Sequence, residues 1–251
     1  MKKHKQDILI FIPVYNEEKN IEKVVDDIRK YSKSDILIIN DGSTDSSDSI
    51  IKNISEKNNG NLFYINHHTN EGYGKTLING FNFSIKNNYK YIITIDGDGQ
   101  HEPENIPNFV NTIKKNNIDI LSGSRYLDPK MMLSTPPPKR QKVNHRITKI
   151  LSAITDYDLT DSFCGFKIYS VSALKKLKLT EKGFGLPLQL ILQAHKQKLI
   201  LKEMPIELIY TDEKRTFGVI LNNTLKRFSY YIKIIRKEID CIESNGYRSS
   251  S

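Results

Sequence analysis

Asp96-Gly97-Asp98-Gly99-Gln100-His101 carries the strongest chemical signal in the chain, directly after an apolar run that ends at Ile95. Two carboxylates one residue apart repel each other unless something cationic sits between them. A hard divalent cation with oxygen ligands meets that need, and such an ion can in turn hold a diphosphate. In extended geometry Asp96 and Asp98 point to opposite sides, so a turn at Gly97 is needed to aim both at one ligand. A plain Asp-Gly turn uses the same residues.

A second polar loop, Asn40-Asp41-Gly42-Ser43-Thr44-Asp45, also follows an apolar run. Asp41 can accept hydrogen bonds from a nucleobase or ribose, while Ser43 or Asp45 caps the next helix; a capping loop alone reads the same way. In Pro13-Val14-Tyr15-Asn16-Glu17, Tyr15 offers a ring to lie against a base and Glu17 a carboxylate, or the segment is an ordinary strand-to-helix turn. Gly72-Tyr73-Gly74-Lys75-Thr76 ends like a phosphate loop, but Thr69 stands where that pattern needs glycine and Leu77 where a dinucleotide fingerprint does. What survives is a glycine-rich helix start able to approach a ligand closely. The histidines, among them His67, His68, His101, His145 and His195, show no metal-ligand spacing; His67-His68 reads as solvent-exposed, and Cys164 as a small buried residue.

Strands must position these loops. Short isoleucine-rich runs at Ile8–Ile12, Ile36–Ile39, Leu62–Ile65, Tyr91–Ile95 and Asp119–Ser122 read as buried parallel strands. Helical patterns lie between them. Asn16 is placed to cap one with Ile21, Val24, Val25 and Ile28 on one face, and others fit 46–58, 74–87 and 103–116. The alternation predicts βαβ units in a doubly wound α/β sheet, with ligands beyond the carboxyl ends of the strands.

The second half reads differently. Residues 126–138, with Pro129 and Pro136-Pro137-Pro138, form a loop or flap. No acidic residue occurs from Pro129 to Thr155, where Lys130, Lys139, Arg140, Lys142, Arg146 and Lys149 fall; the basic stretch after 138 is a phosphate-binding surface or a solvated face. A strand is expected near Phe166–Tyr169, a helix near 184–197 and a strand near 199–209. Leu221, Leu225, Phe228, Ile232, Ile235, Ile239 and Ile242 alternate by four and three, giving an amphipathic helix over 219–242 with Lys226, Arg227, Lys233, Arg236 and Lys237 at polar positions. Its stripe fits a membrane surface, a membrane partner, a core face or a dimer seam. The tail 245–251 reads as disordered.

Composition excludes other classes. Two cysteines, Cys164 and Cys241, rule out a disulfide framework and a four-cysteine zinc site. A formal charge of +9 on 251 residues favours anionic partners. No run of 18 apolar residues predicts a membrane span. Met1–Lys5 followed by Ile8–Ile12 imitates a signal peptide, but polar Asn16-Glu17-Glu18 follows, so we place the run as a first buried strand and the protein in the cytosol.

Taken in order, these three loops, then Gly123-Ser124-Arg125-Tyr126 and Asp161-Ser162-Phe163-Cys164-Gly165-Phe166-Lys167, closely resemble family 2 glycosyltransferases, and among them the dolichyl- or polyprenyl-phosphate mannose and glucose transferases. The resemblance runs from about residue 7 to about 235. It implies a GT-A fold, a GDP- or UDP-linked sugar donor, Mg²⁺ or Mn²⁺, and inversion at the anomeric carbon. By position, Pro13, Tyr15, Glu17, Ile39 and Asp41 would hold the nucleoside. Asp96 and Asp98, with Gly97 between them, would meet the diphosphate and metal as the catalytic pair, and Gln100 would add a metal ligand. Arg125 and Arg215 would lie near the donor, and Arg140, Arg146 and Lys167 would face the lipid phosphate. Residues 1–125 would then form the donor half of one GT-A domain and 126–218 the acceptor half. Departures are Asn40 before Asp41, Gly218-Val219-Ile220-Leu221 where relatives place Gly-x-Ser-Lys, and Gln189 where many carry an acid. The expected enzyme moves a hexose from a nucleotide sugar to a polyprenyl phosphate, peripherally at the inner membrane face, alone or with a separate membrane protein, and binds no nucleic acid. A sugar-hydroxyl acceptor in capsule or lipopolysaccharide synthesis, and a non-catalytic basic adaptor for nucleic acid or membrane, are the competing readings.

Overall fold

Alternation along the strands decides the layering. In the computed structural model, which describes residues 6–57, 60–132, 134, 138–209 and 223–247, Leu9 and Phe11 of β1 (Ile8–Val14) join one hydrophobic core and Ile10, Ile12 and Val14 the other. Leu37 and Ile39 against Ile36 and Ile38 of β2 (Asp35–Asn40) repeat the pattern. Successive side chains point to opposite faces of a strand, so a sheet made of such runs must be covered on both sides.

Among the described residues seven strands form one sheet in the order β3-β2-β1-β4-β6-β5-β7, with β3 (Leu62–Asn66), β4 (Tyr91–Thr94), β5 (Ile120–Ser124), β6 (Lys167–Ser170) and β7 (Leu201–Pro205). Only β6 runs antiparallel, wedged between β4 and β5. Helices α1 (Ile21–Tyr31), α2 (Ser47–Lys57) and α4 (Ile106–Lys115) cover one face. The other is covered by α3 (Tyr73–Lys86), α5 (Pro138–Thr155), α6 (Val171–Leu174), α7 (Leu186–Lys196) and α8 (Thr224–Tyr247).

Three local expectations change. The basic stretch after 138 is helix α5, with Val143, Ile147 and Leu151 buried one turn apart; the surrounding cations dilute that apolar pattern in the sequence. Asn16 does not cap α1, which starts at Ile21 behind Asn20. Instead Asn16 takes a left-handed conformation (φ 57°) and clasps the neighbouring loop. The last strand is shorter than 199–209.

The stripe on α8 is corrected as well. Tyr231, Ile234 and Ile235 are buried in the core with α5 and α7, and Phe228, Ile232, Ile239 and Ile242 pack partly buried against it, whereas Leu225 is 81% exposed. Arg227 and Glu238 are buried too. At about 100° per residue, the centre of burial lies roughly a quarter turn from the sequence stripe. Glu238 is tolerated inside because it accepts hydrogen bonds from Gln189 Nε2 (2.7 Å) and Gln193 Nε2 (2.8 Å). The helix therefore spends much of its apolar face within the chain, the core-face alternative of the sequence reading. It continues to Tyr247, through part of the expected disordered tail; 219–222 and 248–251 lie outside the described residues.

Candidate active site

Register brings the loops to one place. Val14 pairs with Asn40 and Asn40 with Asn66, so β1, β2 and β3 end level. The loops beyond them are laced together: Ser43 Oγ accepts from Asn16 N (2.9 Å), Asn16 Oδ1 from Thr44 N (2.8 Å), Ser47 Oγ from Glu17 N (2.8 Å), and Glu18 Oε2 from Ser46 N (2.9 Å). Asp45 caps the start of α2 through Ser47 N, as expected. These loops wall a cleft of about 760 Å³ that also takes in Pro13, Tyr15, Asp41, Gly97, Gln100 and Arg125. Such a volume suits a nucleotide-sized ligand. Ile39 does not line it; its side chain is fully buried in the core.

Asp41 sits at the base of this wall. Its Oδ1 accepts from His67 Nδ1 (2.7 Å) and Glu71 N (2.9 Å), and its Oδ2 from Gly72 N (2.9 Å). His67 is thus buried rather than exposed, while His68 faces solvent. Asn79 Nδ2 lies 2.9 Å from His67 Nε2. The glycines beside this strap serve protein packing. A Cβ on Gly42 (φ +66°) would lie 2.4 Å from the Thr69 carbonyl carbon, and one on Gly74 2.4 Å from Glu181 O. Gly74 therefore approaches the 181–183 backbone and not a ligand, although Gly72 does line the cleft.

Asp96 and Asp98 both line the cleft, as does Gln100. Asp96 Oδ1 accepts from Tyr73 OH (3.2 Å), and its Oδ2 lies 3.4 Å from His101 Nε2. Tyr73 in turn stacks on Phe184, with ring centroids 5.4 Å apart. Asp98 Oδ1 accepts from Gln100 N (3.0 Å), which closes a turn through Gly99 (φ 70°). A Cβ on Gly165 would lie 2.0 Å from Asp96 Oδ2, so only glycine lets the 161–167 segment pass under that carboxylate. Two carboxylates and a carboxamide are hard oxygen donors that fit Mg²⁺ or Mn²⁺. Among the described residues no three His, Cys, Asp or Glu side chains form a complete metal site, so a cation here would draw its remaining ligands from a bound diphosphate or water. Among the described residues His101 Nδ1 is buried without a hydrogen-bond partner, a histidine that spacing did not single out.

The basic residues divide. Arg125 lines the cleft but spends its guanidinium on Asp161, with Nε–Oδ2 at 2.6 Å and Nη2–Oδ1 at 3.0 Å. Burial alone would push the Asp161 carboxyl up, yet Arg125 outweighs it and holds that carboxyl below its usual range. Lys167 does not reach the cleft. It is buried on the opposite side of β6 from Phe166 and Ile168, where Nζ donates to Ser122 Oγ (2.6 Å) close to Asp161 and Glu203. Arg146 lies exposed on α5, away from the lining, and Arg215 lies outside the described residues. Arg140 does line the cleft, as does Arg227, which the sequence reading left among polar helix positions. Both lie near Tyr231, whose phenol burial pushes up to about 12 against their pull. Gln189, the position in doubt as a base, is buried away from the lining, where Oε1 accepts from Thr180 N and Glu181 N. Cys164 is inert by the same logic: burial pushes its thiol up to about 12.

Polar loops at level strand ends, a carboxylate pair beyond β4, and one antiparallel strand wedged into a parallel sheet are the arrangement of a GT-A fold. The model of glycosyl transferase family 2 matches residues 9–178, and the chain belongs to that family. It is 30% identical to the UDP-N-acetylglucosamine–dolichyl-phosphate N-acetylglucosaminyltransferase of Methanococcus voltae, over 91% of this chain and 94% of the relative. It is 24% identical to polyprenol monophosphomannose synthase of Mycolicibacterium smegmatis, over 85% and 80%. Among solved structures, glucosyl-3-phosphoglycerate synthase of Mycobacterium tuberculosis, in complex with Mn²⁺, UDP-glucose and phosphoglyceric acid, superposes with a TM-score of 0.69 at 16% identity, over 94% of this chain and 80% of that one. The chain is therefore an enzyme, and the adaptor reading falls.

Proposed function

We propose that the enzyme moves a hexose from a nucleoside-diphosphate sugar to a polyprenyl phosphate, working peripherally at the cytoplasmic face of a membrane. One observation carries the choice of acceptor. Every carboxylate among the described lining residues falls between Glu17 and Asp98, whereas the lining from Tyr126 onward offers Arg140, Gln141, Asn144, Arg227 and Tyr231 and no acid. A sugar hydroxyl needs a base to lose its proton; a phosphate monoester is already anionic and needs only positive charge to place it. The names of the two lipid-phosphate relatives support the same reading. Residues 1–125 then act as the donor half and 126–218 as the acceptor half, with Arg227 of α8 added to the latter.

In this reading Pro13, Tyr15, Glu17 and Asp41 hold the nucleoside, and Arg140 and Arg227 hold the lipid phosphate. A phosphate oxygen forms the new bond to the anomeric carbon from the face opposite the donor. The bond from that carbon to the diphosphate oxygen breaks, its electron pair leaves with the nucleoside diphosphate, and no proton moves. Asp96, Asp98 and Gln100 would hold a divalent cation, whose chemistry is to neutralise charge developing on a departing diphosphate. Among the described residues no helix is long and apolar enough to cross a membrane. The exposed row Lys139, Lys142, Arg146 and Lys149 on α5, not the α8 stripe, supplies attraction to an anionic leaflet.

The test supplies radiolabelled nucleotide sugars and Mn²⁺ with either a polyprenyl phosphate or water-soluble saccharides. Label entering the organic phase only when the lipid is present is the expected result. Label passing only to a saccharide would move the enzyme to hydroxyl acceptors.

A further inference from the structure

We propose that Tyr73 is the positioning residue of the carboxylate pair: its hydroxyl fixes the side chain of Asp96 at the cleft. This rests on the reading of Asp96 and Asp98 as the pair that holds a divalent cation. Two ionised carboxylates two residues apart push each other away, so the pair needs outside partners to keep its geometry before a cation arrives. A phenol is such a partner, because it donates a hydrogen bond that an ionised carboxylate accepts. Tyr73 OH lies 3.2 Å from Asp96 Oδ1.

The other groups around Asp96 are less able to fix it. A Cβ on Gly165 would lie 2.0 Å from Asp96 Oδ2, so the backbone there bounds the carboxylate from below without holding it. His101 Nε2 stands 3.4 Å from Oδ2, a long contact. Among the described residues His101 Nδ1 is buried without a partner. A proton on Nε2 leaves only a lone pair unmatched at Nδ1 and aims the N–H at Asp96; the other tautomer would bury an N–H with no acceptor. His101 therefore supports Asp96, but it belongs to the same loop, five residues on, and moves with it. Tyr73 comes from another element.

That element is tied down. Tyr73 is the first residue of α3. Before it, Gly72 N donates to Asp41 Oδ2 (2.9 Å), and after it Lys75 N donates to Lys182 O (3.0 Å). Gly72 (φ +103°) is pressed so close to the strap at 181–183 that a Cβ would lie 2.5 Å from Lys182 O. The Tyr73 ring stacks on Phe184 with an interplanar angle of 11°. The strap is anchored in turn: Glu181 Oε1 accepts from Gly183 N (2.9 Å) and from Tyr230 OH of α8 (2.8 Å). A phenol held at both ends of its residue and along its ring has little freedom to swing, so it can transmit a fixed position to Asp96. Partners that orient a metal ligand from outside typically change metal affinity by about 10–100-fold when removed.

Tyr73→Phe keeps the ring and its stack and removes one hydroxyl. Titration calorimetry of the full chain with UDP and with GDP, each with Mn²⁺ and again with a chelator, compares the variant with wild type. The variant should lose about tenfold in Mn²⁺-dependent nucleotide affinity. Its affinity in chelator should stay within about twofold, and its thermal midpoint close to wild type. The paramagnetic resonance spectrum of Mn²⁺ bound with the nucleotide should also change, because one ligand is no longer held. A merely structural tyrosine would move the midpoint and the chelator affinity instead. If wild type shows no Mn²⁺-dependent binding of either nucleotide, the reading of the pair falls and the inference with it. If wild type shows it and the variant matches in affinity and spectrum, only the role of Tyr73 is overturned. A variant that fails to fold overturns that role as well, since the hydroxyl would then serve the fold.

Discussion

Two acidic loops at the same end of one sheet are built in opposite ways. The side chain of Asp41 is 5% exposed and bound by three protein donors, all within 2.9 Å. That of Asp96 is 24% exposed, and its contacts to Tyr73 and His101 are longer, at 3.2 and 3.4 Å, with a second carboxylate two residues on. A carboxylate filled by its own protein is a rigid fixture of the cleft wall. Two carboxylates that line a cleft side by side repel each other and favour positive charge beside them. Residue type and position after a strand are the same in both loops; the segment that folds over each one sets its task.

Asp161 is the extreme of the filled kind, so breaking it should show the largest effect. Asp161→Asn leaves Arg125 without its partner and should remove roughly 3–5 kcal/mol of stability, read by urea unfolding. Because the folded carboxyl titrates below its usual range, the pair's contribution is complete above about pH 4 and is lost as pH falls through the lowered value. The wild-type protein should therefore lose stability more steeply on acidification than the variant. Equal unfolding midpoints would erase the distinction between acids held inside the protein and acids that line the cleft.

Asp98→Asn should do the reverse. Turnover should fall by about 10²–10³-fold, with weaker Mn²⁺-dependent nucleotide binding and a thermal midpoint close to wild type. Near-normal turnover by this variant in the presence of a chelator would remove the pair from the chemistry. Arg140→Ala, on the cleft-lining side of α5, should raise KM for the lipid phosphate about tenfold and leave KM for the donor unchanged. Arg146→Ala is the smallest and sharpest control. Its exposed position off the cleft should keep lipid KM within about twofold at physiological salt, where exposed charges are screened. A large rise there would mean that α5 presents its other side to the acceptor.

Much of the donor half was legible in the chain because its information is local. Strands such as Ile36–Ile39 are short and apolar, and polar loops follow them at once, so the expected α/β alternation and the cleft-side places of Tyr15, Asp41, Asp96 and Asp98 need only neighbours in sequence. Residues that depend on distant partners were not legible. Lys167 seemed placed for a phosphate by its motif, but β6 enters the sheet antiparallel between β4 and β5, and that register turns the lysine to Ser122. His67 looked exposed until Asp41 and Asn79 came to either side of it.

The sequence by itself determined the fold class, the family and the acidic pair beyond β4, because hydrophobic period and strand-end loops are encoded over a few residues. Tertiary structure alone decided which charges face the cleft. The apolar period of α8 pointed to Leu225, yet packing against α5 and α7 turned the helix so that Arg227 and Tyr231 line the site while Glu238 is held by Gln189 and Gln193. A long helix with apolar and polar residues on several sides can bury more than one face. The choice falls to the partners that satisfy its buried polar groups, and those lie some forty or more residues away in the chain.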